Sequence, residues 1–235
     1  MNKSKMKCSV CGGTAFTSRH VLWDGLVNEW QLAPQEVAYV DRQQGEFCNG
    51  CGCNLRSIAL ANAIRSYVGT SALFRELSTM PRARELSILE INEAGMLSPM
   101  LRQFPAYMFG AYPEVDIHRL PYPAKSFDLV VHSDTLEHVL DPVHALTECR
   151  RVLKPEGALC FTVPVIVGRM SRDRAGLPKS CHGASNTTAD DFVVQTEFGA
   201  DAWAYVLAAG FSEVQIHAVE YPAALAFLAS CRDLT

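Results

Sequence analysis

The segment that most limits what this chain can fold into is Leu120 to Gly157, LPYPAKSFDLVVHSDTLEHVLDPVHALTECRRVLKPEG. Phe127 to Val131 is a short apolar run opened by Ser126 and closed by polar residues, the pattern of a strand buried on both faces of a parallel sheet. Ser133 to His138 then falls where that strand delivers its C-terminal end. Asp141-Pro142 pairs an acceptor side chain at a helix N-cap with a proline at the first helical position. Val143, Leu146 and Leu153 share one helical face, and Arg150, Arg151 and Lys154 suit the negative end of the helix dipole. Pro155 and Gly157 stop the helix, and Ala158 to Val163 reads as the next strand. The sum is a strand-helix-strand unit.

The same letters carry a likeness. LPYPAKSFDLVVHSDTLEHV followed by RRVLKPEG resembles the class I, Rossmann-like S-adenosylmethionine-dependent methyltransferases, especially their small-molecule branch. The resemblance implies an α/β fold: a mostly parallel sheet with an antiparallel last strand, flanked by helices. It places the segment across that family's fourth strand, the following helix and the fifth strand. Leu86 to Ile91 would be the first strand and Pro105 to Tyr112 the second. The short interval before Leu120 suggests a deletion that has eroded the third. Val214 to Val219 resembles the sixth strand. Ala223 to Cys231 would be the seventh, although by pattern alone it reads equally as a helix.

The resemblance also implies a cofactor, S-adenosyl-L-methionine, and residues to hold it. Leu89-Glu90 matches the start of the family's glycine-rich loop, but the continuation, Ile91-Asn92-Glu93-Ala94-Gly95-Met96, offers one glycine. Asn92 and Ala94 are the least costly replacements, because Asn tolerates left-handed backbone and Ala is small. Glu90, Asn92 and Gly95 are therefore candidate cofactor residues. Glu114 stands near where the family carries its ribose-binding acid, and Asp116 resembles the acid that contacts the adenine amino group. His132 and Ser133 would lie beneath the methionine part. His138, in the family's EHV, is a candidate base with a pKa near neutrality, or else a residue that fixes the loop onto the following helix. His182-Gly183 supplies the second candidate base.

The 49% of hydrophobic residues against 20% charged supports a sizeable core, so disorder is not expected. A net charge of −4 gives no general attraction to nucleic acid or anionic membranes. No segment approaches the roughly 18 apolar residues of a membrane span. A soluble, cytoplasmic protein is the expectation, and its nine cysteines point to metal chemistry before disulfides. Cys8-x-x-Cys11 and Cys48-x-x-Cys51 form a zinc-ribbon-like pattern in which two knuckles offer four thiolates to a structural Zn²⁺; Cys53 could stand in for Cys51. Val21 to Trp23 and Val37 to Val40 read as hairpin strands of that lobe.

Residues 1–53 thus form the ribbon-like lobe, 54–85 linking helices and 86–235 the methyltransferase domain. Asn54 to Val68 reads as a helix with Gly69 as its C-cap, and Ser71 to Met80 as a second, short one. Val165 to Ser185 reads as a loop leaving a strand end, where open α/β sheets bind ligands. Its Arg169, Arg172 and Arg174 could clamp an anionic substrate such as a phosphorylated or nucleotide-linked sugar. The functional expectation is methyl transfer to an oxygen or nitrogen of a small molecule or glycan precursor. The alternatives are a non-catalytic binding or scaffold protein with a degenerate cofactor loop, and an rRNA or tRNA methyltransferase. The latter lacks a basic face: residues 1–60 hold six Lys/Arg against five Asp/Glu. The oligomeric state is not legible.

Overall fold

The structure, a computed structural model, describes residues 6–181 and 192–231. The chain opens with β1 (Phe16–Ser18), helices α1 (Asp24–Glu29) and α2 (Pro34–Gly45), and β2 (Glu46–Cys48), which pairs antiparallel with β1. Val37 to Val40 is therefore helical and not a hairpin strand. Pro34 sets the first helical turn, and the Glu36 carboxylate accepts the Ala33 amide at 2.8 Å. Glu36, Tyr39 and Gln43 then bury one face at helical spacing, which outweighs the β-branched preference of Val37 and Val40.

Helix α3 (Leu55–Val68) has the ends expected of it. The Asn54 side chain accepts the Ser57 amide at 2.8 Å, and Gly69 closes the helix in a left-handed conformation at φ 74°. It is buried nearly all round because the lobe lies on one side and the sheet on the other. A 3₁₀ turn (Phe74–Thr79) stands where the sequence reads as a short helix, and Pro81–Arg84 forms a single helical turn, α4.

The sheet starts with β3 (Ser87–Ile91), followed by a 3₁₀ turn (Gly95–Leu97), the short α5 (Ser98–Leu101) and β4 (Ala106–Gly110). Next come β5 (Phe127–Ser133), a 3₁₀ turn (Leu136–His138), α6 (Pro142–Val152) and β6 (Leu153–Thr162). The Asp141 carboxylate accepts the His144 amide at 2.9 Å, so the proline-led start of α6 is capped as its sequence suggests. Beyond β6, the expected loop contains β7 (Val165–Ile166) and β8 (Arg172–Asp173), which both pair with β9 (Thr196–Gly199) in a small three-stranded sheet. The fold closes with α7 (Ala202–Ala208), β10 (Glu213–Val219) and β11 (Ala224–Ser230).

The main sheet has the order β10-β11-β6-β5-β3-β4. The pairs among β4, β3, β5 and β6 are parallel, and β11 runs antiparallel to both of its neighbours. This is the mostly parallel sheet with an antiparallel last strand. No strand forms between β4 and β5, so β4 is the edge. Ala223 to Cys231, ambiguous by pattern, is extended because β6 and β10 satisfy its backbone on both sides.

Period-two alternation divides the sheet's side chains between two cores. Ile88, Leu129, Val131, Ala158, Cys160 and Leu228 pack towards α3 and the lobe, whereas Leu89, Ile91, Val130, Leu159, Phe161 and Phe227 pack towards α6 and α7. Among the described residues no helix is long and apolar enough to cross a membrane.

Candidate functional site: a strand-end constellation and a four-cysteine cluster

The C-terminal ends of β3 and β5 lie side by side, with Ile91 opposite His132. Glu90 is fully buried and accepts the Ala94 amide at 2.7 Å, the Tyr107 hydroxyl at 2.5 Å and the Ser98 hydroxyl. Its carboxylate shapes the loop, and burial together with that carboxylate raises the Tyr107 phenol above its usual range. Asn92 takes the left-handed backbone expected of it, at φ 55°. Its amide donates to Thr135 Oγ1 at 3.2 Å and its Oδ1 accepts the Tyr112 amide at 3.1 Å, tying the end of β3 to the segments that follow β5 and β4. Gly95 is also left-handed, at φ 56°, and a Cβ there would stand 3.4 Å from Ser57 Oγ of α3.

At the end of β5, His132 is wholly buried and stacks on Phe161 with ring centroids 5.0 Å apart. Neither ring nitrogen has a hydrogen-bond partner. Burial disfavours the imidazolium and lowers the pKa to about 4, against a smaller opposing pull from Glu137. Ser133 Oγ is 2.7 Å from Thr162 Oγ1 of β6. Asp134, at φ 52°, meets the buried Arg56 of α3 at 2.8 Å and Gln44 of α2 at 3.3 Å.

His138 Nδ1 lies 3.1 Å from the Val193 carbonyl. A carbonyl only accepts, so Nδ1 carries the proton and Nε2, 3.8 Å from Glu137, is the basic nitrogen of the neutral ring. His182 lies outside the described residues. Asp116 accepts the His118 amide at 2.9 Å and faces the His118 ring at 3.0 Å, in the exposed segment between β4 and β5; Glu114 is exposed nearby.

Arg169, Arg172 and Arg174 line one cavity of about 230 Å³ together with Glu29, Trp30 and Gln31. Their guanidiniums already have partners. Arg169 binds Glu36 and the carbonyls of Trp30 and Gln31, Arg172 binds both oxygens of Glu197, and Arg174 binds Glu197, Glu29 and the Pro178 carbonyl. Arg169 in turn holds the Glu36 carboxyl below its usual range. Three cations thus face three carboxylates, and the set clamps the β7–β8 region onto the lobe.

In the lobe, Cys8, Cys11, Cys48 and Cys51 bring their sulfurs within 4.8 Å of one another. Cys53 is buried beside them but outside this group, so the cluster contains Cys51 and not Cys53. The two knuckles repeat the same internal bonds. Gly12 donates to the Cys8 carbonyl and Gly52 to that of Cys48; Cys8 donates to Gly13 and Cys48 to Cys53. Gly12 and Gly52 are left-handed, at φ 83° and 75°. Four soft sulfurs at these separations fit a closed tetrahedral site for a divalent ion such as Zn²⁺.

The residue reading missed Arg56, Gln44, Thr135, Tyr107 and Thr162. Only Arg56 carries a signal, a charge set among the apolar positions of α3.

Residues 50–161 match the family profile described as a methyltransferase domain. An uncharacterized methyltransferase of Schizosaccharomyces pombe is 48% identical over 44 residues, 19% of this chain and 16% of that protein. A probable S-adenosylmethionine-dependent methyltransferase of Mycolicibacterium smegmatis is 38% identical over 64 residues, a quarter of each chain. A malonyl-[acyl-carrier protein] O-methyltransferase of Halorhodospira halophila is 36% identical over 93 residues, 40% of this chain and 31% of that protein. In each case the chain spans less than a third of the relative's length. The sheet order and these matches agree: residues 50–161, just under half of the chain, are similar to S-adenosylmethionine-dependent methyltransferase domains.

Proposed function

We propose that this chain transfers a methyl group from S-adenosyl-L-methionine to an oxygen or nitrogen of a small molecule or glycan precursor. The observation that carries the reading is the junction of β3 and β5, where Asn92 and Gly95 adopt left-handed backbone and the Asn92 amide reaches Thr135. Such backbone lets a loop approach a ligand closely. When bound, the cofactor supplies an electrophilic methyl on a sulfonium. Residues 86–235 act as the catalytic unit. Glu90 holds the loop, Asn92 and Gly95 line it, and His132 and Ser133 floor the methionine end. Of the two acids after β4, Asp116 is the one we assign to the adenine.

The protein's main contribution is orientation in a site that excludes water. To His138 we assign the role of taking a proton from an acceptor hydroxyl or amine. The arginine cavity would hold an anionic group only in competition with Glu29, Glu36 and Glu197. Arg172, the most exposed of the three, is where that competition would begin. Zn²⁺ on the four cysteines is structural in this reading, since all four ligands come from the chain.

A second reading, a binding protein without catalysis, draws on one feature: the Asn92 side chain spans the gap between the strand ends. Calorimetric titration of the zinc-loaded protein with S-adenosylmethionine and S-adenosylhomocysteine separates the two. The expected result is micromolar binding weakened by Asp116→Ala. No binding at millimolar cofactor would turn the assignment to the second reading.

A further inference from the structure

The cavity between the lobe and the β7–β8 segment is lined by charges that their own network leaves half used. Glu29, Arg174, Glu197 and Arg172 form a row of alternating sign. Arg174 Nη2 donates to Glu29 Oε1 at 3.3 Å and its Nη1 donates to Glu197. Arg172 Nη2 donates to both oxygens of Glu197, at 2.8 and 2.9 Å. The middle of the row is buried and its ends are open: Arg174 and Glu197 expose 5% and 6% of their side chains, Arg172 53% and Glu29 36%. Each end is bonded through one atom only, so a guanidinium edge of Arg172 and Oε2 of Glu29 stay unengaged. Both ends line the same cavity of about 230 Å³, and so does Arg174, whose Nε is buried without a hydrogen-bond partner.

These charges select a ligand by its own charge pattern. Arg169 offers nothing further, because all three of its nitrogens already donate to Glu36 and to the carbonyls of Trp30 and Gln31. Three guanidiniums balance Glu29, Glu36 and Glu197, so no net charge draws in a bare anion or a bare cation. Either would be desolvated against one end of the row and leave the other end unpaired, which is costly. A dipolar ligand meets both ends: its carboxylate on the free edge of Arg172, its ammonium on the free oxygen of Glu29, closing the row into a ring of alternating charge. The volume falls below the roughly 300 Å³ of pockets that take drug-sized molecules, so the ligand is small. Leu177, 42% exposed, and Pro178 give the cavity an apolar wall.

We propose that this cavity binds a small zwitterion of the free amino-acid type, with Arg172 holding its carboxylate, Glu29 its ammonium, and Leu177 and Pro178 an apolar side chain. The inference goes beyond the proposed reaction, because binding here requires no cofactor and stands whether or not the ligand accepts a methyl group.

The test is calorimetric titration of the full, zinc-loaded chain, without cofactor, with four probes. They are L-leucine, 4-methylpentanoate and 3-methylbutylamine, which each lack one of its two charges, and inorganic phosphate. Leucine is expected to bind at millimolar concentration or below, and each of the other three about tenfold more weakly or worse. Arg172→Gln should weaken leucine about tenfold and leave the amine unchanged, whereas Glu29→Gln should weaken leucine as much and leave the carboxylate unchanged. A variant that had lost its fold would lose every probe and could not give this crossed pattern. No binding of leucine at tens of millimolar, phosphate or 4-methylpentanoate binding as tightly as leucine, or leucine indifferent to both substitutions overturns the proposal.

Discussion

The loops that follow β3 and β5 reach the same end of the sheet but are held in different ways. The β5 loop is braced largely within the domain, Ser133 by Thr162 of the next strand and His138 by the Val193 carbonyl, although its Asp134 also reaches Arg56 of α3 and Gln44 of α2. The β3 loop, which carries one glycine where the resemblance leads one to expect several, leans on the N-terminal part of the chain. Gly95 sits against Ser57, and Met96 lies over Gly52 of the second cysteine knuckle, so closely that a Cβ on Gly52 would stand 3.3 Å from its methyl carbon. A loop that has lost its glycines can keep its shape if neighbouring elements fix it. The difference couples the cysteine cluster to the site, although no thiol takes part in the chemistry proposed.

The strongest way to break this comparison is to remove the brace. With Zn²⁺ on the four cysteines as proposed, Cys48→Ala should release it and unfold the lobe, costing about 4 kcal/mol or more. Metal content and urea unfolding measure this directly. Cofactor affinity should fall as well, since the β3 loop loses its support. If the lobe unfolds and affinity is unchanged, the two loops are equally independent.

His132 tests the β5 side. Its folded pKa of about 4 lies below the unfolded 6.5, so its contribution to stability is complete above pH 6.5 and is lost as the pH falls to about 4. That gap corresponds to about 3 kcal/mol. His132→Phe, which keeps the stacking on Phe161, should lose less stability than the parent between those pH values. Urea midpoints that fall in parallel would refute the buried neutral imidazole.

Asn92→Ala sharpens the β3 side. It removes two hydrogen bonds and leaves a strained left-handed backbone, at a cost of about 1–2 kcal/mol. Asn92→Gly relieves the strain and should recover part of that loss, as paired thermal melts would show. The smallest effect expected is that of Asn54→Ala, about 1 kcal/mol for a lost helix cap. Because α3 carries Ser57, against Gly95 of the β3 loop, and Arg56, which meets Asp134 of the β5 loop, this variant should disturb both loops in amide exchange.

Much of this was legible before any coordinates. Asn54 and Gly69 bracket α3, Asp141-Pro142 opens α6, and the two C-x-x-C knuckles meet. Each of these rests on local chemistry, a cap, a fixed φ or a tight turn. Val37 to Val40 misled because β-branched residues suggest strand, whereas the helix there is set by Pro34, Glu36 and the buried face of Tyr39 and Gln43. The arginines of the segment after β6 suggested an anion clamp because their partners are remote: Glu36 is 133 residues away from Arg169. Nothing in the local sequence announces such a pair.

By itself, the sequence determined the periods, the caps, the thiol knuckles and the segment that carries the family likeness, because all of these depend on neighbours within a few residues. The tertiary structure alone decided that Ala224–Ser230 is a strand, since the backbones of β6 and β10 complete its hydrogen bonds. It alone directed the three arginines to carboxylates, because a buried or half-buried guanidinium needs a counter-charge wherever the fold supplies one. And it alone left β4 without a neighbour, as the chain between β4 and β5 forms no further strand to cover that edge.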